Sequence, residues 1–185
     1  MNSELDGFIA AARSVASDAP KLFGDLSEAQ LNWQPDPQTW SVGLCLEHLI
    51  KTNNELLSSI ESHVAETHRR TIFERLALGA NFFGNYIVRA SQPENKTKIK
   101  APKVFRPTVS RVGANVVKLF TENQEKVISV MSASENLNLE RTIITSPIAP
   151  FIVYSLFNAY KIIVSHERRH FRQAINLMKL PKFPN

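Results

Sequence analysis

Residues 152–179 read IVYSLFNAYKIIVSHERRHFRQAINLMK, and the reading of this stretch decides the fold. Ala159, Ile163, His166, His170, Ala174 and Leu177 recur at three- and four-residue intervals, the spacing of one inward face of a helix. Pro181 and Pro184 follow and bar its continuation. The apolar run over 148–164 is not a membrane span, because Pro150, Ser155, Asn158 and Lys161 break it.

Upstream, the same period recurs three times. Leu5, Phe8, Ile9, Ala12, Val15 and Ala16 form a first helix, with Pro20 and Gly24 expected beyond its end. Residues 25–31 read as a short helical turn. Ser41 is a candidate N-cap for a second long helix over 42–66, with Val42, Cys45, Leu49, Leu56, Leu57, Ile60 and Val64 on one broad face. Residues 71–90 are apolar but interrupted by Gly79 and Gly84, which predicts one or two short helices packed across the bundle. Residues 93–107 form a proline-punctuated crossover on the outside. A third long helix is expected over 109–131, with Val112, Val116, Leu119, Phe120, Val127 and Ile128 inward, then an irregular connector over 136–150. No strand-like alternation persists. The expected class is all-α: a single domain over 1–185, built as an antiparallel four-helix bundle with a long crossover and short extra helices.

Composition narrows the function. The chain has 185 residues, 43% of them hydrophobic, enough for a substantial core and too many for wholesale disorder. Its single cysteine, Cys45, excludes an internal disulfide framework and a cysteine-built zinc knuckle. Glu4 and Asp6 stand where a signal peptide needs basic residues, so a cytoplasmic location is expected. The net charge of +5 is concentrated in Lys96, Lys98, Lys100, Lys103 and Arg106 of the crossover, with no basic helix face. That is solvated loop charge, and no nucleic-acid partner is expected. Phe82, Phe83, Tyr86 and Ile87 exceed what one side of a short helix needs, which points to a homodimer surface.

The histidines carry the chemistry. His166 and His170, at i and i+4 on the inward seam, can converge on one ion. A third ligand must come from another helix, and His48 is the candidate on the second. His63 is about 22 Å farther along that helix at ~1.5 Å per residue, so it cannot share the ion. His68, beside Arg69 and Arg70, reads as solvated. Three imidazoles would leave positions open for water or substrate, the mark of a chemical rather than a structural site. They favour a transition ion over magnesium or calcium. The spelling His166-Glu167-Arg168-Arg169-His170 also matches the H-E-x-x-H of zinc proteases, but Phe171 to Asn185 contain no His, Asp or Glu to complete such a site. Glu167 remains a candidate general base or an acceptor behind the ligands, with a solvated helix face as its bland reading. Cys45, one turn before His48, reads as a small buried hydrophobe or, less readily, as a fourth ligand or nucleophile. Trp40 reads as packing at the helix entry.

Trp40-Ser41-Val42-Gly43, Glu47-His48-Leu49, His166-x-x-x-His170-x-x-Gln173, the Ala101-Pro102 and Pro107 connector and the Phe183-Pro184 tail together resemble the DinB-like family of metal-binding helical bundles. The resemblance spans nearly the whole chain, and the combination is sharper than any one motif. It implies that His48, His166 and His170 hold one divalent transition ion (nickel, zinc, iron or manganese). It also implies a small-molecule substrate, since relatives transfer low-molecular-weight thiols such as bacillithiol or mycothiol, and it implies homodimers. Residues 146–151 lack a glycine expected there, so the substrate side of the pocket is expected to differ. Two functions follow as expectations: a metal-dependent enzyme that activates a thiol or water, acting as a thiol transferase or hydrolase, or a non-catalytic metal-binding structural or interaction domain.

Overall fold

Ser41 and Ser155 start two of the long helices by the same device. Each adopts an extended backbone, and its hydroxyl accepts the amide of the residue three positions on, Leu44 at 3.1 Å and Asn158 at 3.2 Å. The computed structural model describes residues 3–95, 97 and 100–184. Lys96, Lys98 and Ile99 of the basic connector lie outside them, as do Met1, Asn2 and Asn185. In chain order the elements are α1 (Ser3–Phe23), α2 (Glu28–Leu31), α3 (Val42–Val64), α4 (Ile72–Leu76), α5 (Ala80–Ser91), a 3₁₀ turn (Lys103–Phe105), α6 (Val116–Ala133), β1 (Ile143–Thr145), β2 (Val153–Ser155) and α7 (Leu156–Met178).

Helices α1 and α3 each pack on both α6 and α7, so the four long helices close a ring. Asn53 meets Asn123 and Glu61 meets Lys126, so α3 and α6 run the same way. Gln124 meets Glu167 and Ser134 meets Tyr160, so α7 runs opposite to both. Phe8 lies on Phe157 and Phe23 on Phe171, which sets α1 parallel to α7. The bundle is therefore antiparallel across α1/α6 and α3/α7. The long connection over 65–115 is what returns the chain to the start of a second helix parallel to α3. It carries α4 and α5, the latter packed on α7 and β2.

Three boundaries differ from the sequence reading. Helix α1 continues through Pro20 to Phe23. A proline in the last turn forfeits one backbone bond, and the Gly24 amide closes the end on the Pro20 carbonyl at 2.9 Å. Helix α6 begins at Val116, not 109, because the Asn32 amide grips the Val112 backbone through two bonds of 2.8 Å and holds it in a loop. The stretch before α7 is not helix. Ile143, Ile144 and Thr145 pair antiparallel with Ser155, Tyr154 and Val153, a ribbon of β-branched and aromatic residues too short to show alternation.

The apolar core has two lobes. One gathers Leu56, Leu57, Ile60, Val127, Met131 and Ile163; the other gathers Phe23, Leu46, Leu49, Phe120, Phe171 and Leu177. Between them, on α3, α6 and α7, lies a buried polar layer: Asn53, Asn123, Gln124 and Glu167.

The two glycines in 71–90 have different jobs. Gly79 takes φ of 74° and separates α4 from α5. Gly84 lies inside α5, where a Cβ would fall 2.3 Å from the Asn158 amide nitrogen and 3.1 Å from its Cβ. Gly84→Ala should therefore cost about 1–3 kcal/mol by forcing α5 off α7. Gly7→Ala, in α1 with open space around it, should add about 0.5–1 kcal/mol. Urea midpoints of the two variants check both signs.

Candidate metal centre

The Ser41 cap fixes where α3 begins and so places His48 in its second turn, 2% exposed. His48 Nδ1 donates to the Phe105 carbonyl at 2.6 Å, which leaves Nε2 as a bare lone pair. That Nε2 lies 3.2 Å from His166 Nε2, which lies 3.1 Å from His170 Nε2. The three ring centroids are 4.5–4.9 Å apart. Trp40 lies over His48 at 4.7 Å and beside His170 at 5.9 Å, so it walls the cluster as well as packing at the helix entry.

Three imidazole nitrogens facing one point need something between them. A neutral ring that carries its proton on Nε2 can donate to one neighbour, which leaves the third nitrogen unmatched, and a further proton makes an imidazolium. Burial opposes that charge. It lowers His48 to about 4 against the favourable Phe105 carbonyl, and His170 to about 3 with help from His48 and Arg169. His166 is held well below its ordinary value by burial, then by the charges of His170, His48 and Arg169. All three rings are therefore neutral at pH 7, the ligand form. Nitrogens bound at 2.0–2.1 Å to one tetrahedral ion sit about 3.4 Å apart, close to the spacing found here. The donor set fits a divalent transition ion. His166 is the half-buried member, so the cluster opens on its side.

The neighbours of this cluster correct several readings. Glu167 does not face solvent. It is 0% exposed, and its Oε1 accepts from Asn53 at 3.0 Å and from Gln124, while Oε2 has no partner. Burial pushes its carboxyl up to about 7 against those two bonds. It is not among the donor atoms that converge with the imidazoles. Cys45 is likewise outside the converging group, and burial pushes its thiol up to about 12. Gln173 is half-buried beside His170 and favours the charged ring, although His170 Nδ1 makes no hydrogen bond. His68 is not solvated: its ring stacks on His63 at 3.7 Å and meets Glu74 at 2.6 Å, away from the triad.

Two contributors gave no sequence signal. The crossover does not simply lie outside, since Phe105 is buried and its carbonyl orients His48. Arg169 spends its guanidinium on the carbonyls of Ala90, Gln92, Asn95 and Thr97 at 2.7–3.2 Å, which ties the crossover to α7 beside His170.

A ring of four long helices with three imidazoles converging from two of them defines a helical-bundle protein with a histidine-built candidate metal site. A family model, the DinB superfamily, matches residues 11–174, and the chain belongs to that superfamily. Neither a curated protein nor a solved structure matches it.

Two measurements follow. In chelator-treated protein the folded rings at about 4 and about 3 stay unprotonated below the ordinary 6.5, while the unfolded chain takes up protons there. Stability should therefore fall as pH drops from about 6.5 toward 4, seen as a declining urea midpoint. Cys45 should resist a disulfide reagent at pH 8 in native protein and react promptly in urea.

Proposed function

We propose that the chain is a metal-dependent enzyme that activates a small thiol or water, with His48, His166 and His170 as the ligands of one divalent transition ion. The observation that carries this reading is the convergence of three neutral Nε2 atoms with no fourth His, Cys, Asp or Glu donor grouped with them among the described residues. A divalent ion held there supplies Lewis acidity, lowering the pKa of a bound water or thiol to the neutral range. Nickel, zinc and iron suit three imidazoles; manganese enters only through the family resemblance.

The chain's own residues do the rest. The Phe105 carbonyl holds His48 in the tautomer whose Nε2 points at the cluster. Trp40 shields two of the rings from water. We assign Glu167, read from sequence as a candidate general base, to positioning: its bonds to Asn53 and Gln124 fix the angle at which α7 presents His166 and His170. Supporting a thiol or another small molecule over a macromolecule, Arg169, the arginine beside His170, has its guanidinium engaged with backbone carbonyls. That reading carries no nucleic-acid or membrane partner. No helix among the described residues is long and apolar enough to cross a bilayer.

A homodimer belongs to the same proposal. Phe82 and Tyr86 are 71% and 63% exposed on α5, and Ile72, Phe73 and Leu76 are exposed on α4, whereas Phe83 and Ile87 are half-buried. The runner-up reading, a non-catalytic metal-binding domain, draws on the same imidazoles.

Untagged protein should carry metal by elemental analysis, and His166→Ala should lose the equivalent held by the triad while His63→Ala keeps it. A panel of low-molecular-weight thiols offered with an electrophile should show turnover that chelation abolishes and His48→Ala lowers at least 100-fold. A fully loaded protein that turns over no thiol and hydrolyses no ester would favour the non-catalytic reading. Sedimentation at micromolar concentration should give twice the monomer mass, and Phe82→Glu should restore the monomer.

A further inference from the structure

The far end of α3 carries a second histidine cluster. His63, His68 and Glu74 each bring one donor atom to within 4.8 Å of the others, about 22 Å along the helix from His48 at ~1.5 Å per residue. Glu74 is 3% exposed, a rare burial for a carboxylate. Its Oε2 accepts from the Thr71 amide at 2.8 Å and meets His68 Nε2 at 2.6 Å, and its Oε1 accepts from Thr145 at 2.6 Å. These bonds hold it ionised, below its ordinary value, although burial alone would raise it.

The imidazoles are oriented from behind. His63 Nδ1 donates to the Ser59 carbonyl at 2.9 Å, which leaves Nε2 as a buried lone pair. That Nε2 makes no hydrogen bond, although the Ile143 backbone is near enough to favour the charged ring slightly. His68 Nδ1 lies 3.2 Å from the Ser62 hydroxyl, which itself donates to the Ser59 carbonyl and so has a free lone pair. His68 can therefore carry its proton on Nδ1 toward Ser62 and release Nε2 as a second donor. Backbone carbonyl and hydroxyl partners behind two imidazoles, with a buried carboxylate beside them, are how metal-binding histidines are held.

We propose that His63, His68 and Glu74 form a second divalent-metal site, separate from the triad, which takes zinc with two nitrogens, one oxygen and water. The stacked rings, 3.7 Å between centroids, present their edges side by side. Donors around one tetrahedral ion sit about 3.4 Å apart, and with all three donors within 4.8 Å of one another only a small closure is needed on binding. The ion would join the end of α3 and the loop after it to α4, and through Thr145 to β1. It is a structural clip for the segment that leads into the crossover.

The test uses the full chain carrying His166→Ala and His170→Ala, so that zinc at the first site cannot be counted. Equilibrium dialysis against zinc at pH 7.5 should leave about one equivalent bound. Adding His63→Gln should lower that at least tenfold. His63 is the informative position because its Nε2 bonds nothing in the metal-free fold, and an unchanged circular dichroism spectrum shows that the variant is folded. Zinc should also raise the melting temperature of the double variant and leave that of the triple variant unmoved. The proposal is overturned if the double variant binds no zinc, or if zinc survives His63→Gln. Either result leaves the triad reading intact, because wild-type protein and His166→Ala report on that site separately.

Discussion

Three imidazole nitrogens lie within about 3.2 Å of a neighbour in a place where burial opposes the imidazolium charge that would help reconcile them. The surrounding structure is arranged to hold that conflict in place. Left alone, rings from α3 and α7 would rotate apart and take up water. They are kept together by a carbonyl behind His48, an indole over two of the rings and a carboxyl layer one residue along from His166. A polar cluster that costs desolvation and has no internal solution is a reservoir of affinity for whatever cation supplies the missing charge.

The layer of Asn53, Asn123, Gln124 and Glu167 gives the bundle a register. Two apolar lobes separated by amides and a carboxyl cannot slide by a turn without stranding those groups in hydrocarbon. Aliphatic side chains of similar volume at the same positions would pack with less desolvation. Their register would be weaker, and in this fold register is what brings a histidine from α3 level with two from α7.

Much of this was legible in the residues. The i, i+4 pair on an inward seam and a histidine on a second periodic helix located the triad, because helical spacing converts sequence directly into a face. Legibility failed where a backbone atom or a distant partner does the work. The Phe105 carbonyl has no residue-type signature, so the crossover passed for solvated loop. Glu167 looked equally suited to a wet face, since only Asn53 and Gln124, on other helices, reveal that it is buried. His68 stood beside two arginines and read as exposed; its partner Glu74 arrives after a turn whose geometry, with Glu66 at positive φ, no pattern announced. The β1–β2 ribbon has three residues a side, one alternation each, below what periodicity can detect.

Arg169 holds four carbonyls, from the end of α5 into the start of the crossover, and no side chain there. Recognition of that kind is indifferent to what the loop spells. Substitutions at positions 90, 92, 95 and 97 leave the bonds available so long as the backbone path is kept, whereas a change at the one arginine releases all of them together. The crossover is thus free to drift in sequence, and with it whatever surface it offers at the mouth of the site. In this chain one position on α7 thus sets the path of the segment, while the segment's own side chains are left to face elsewhere.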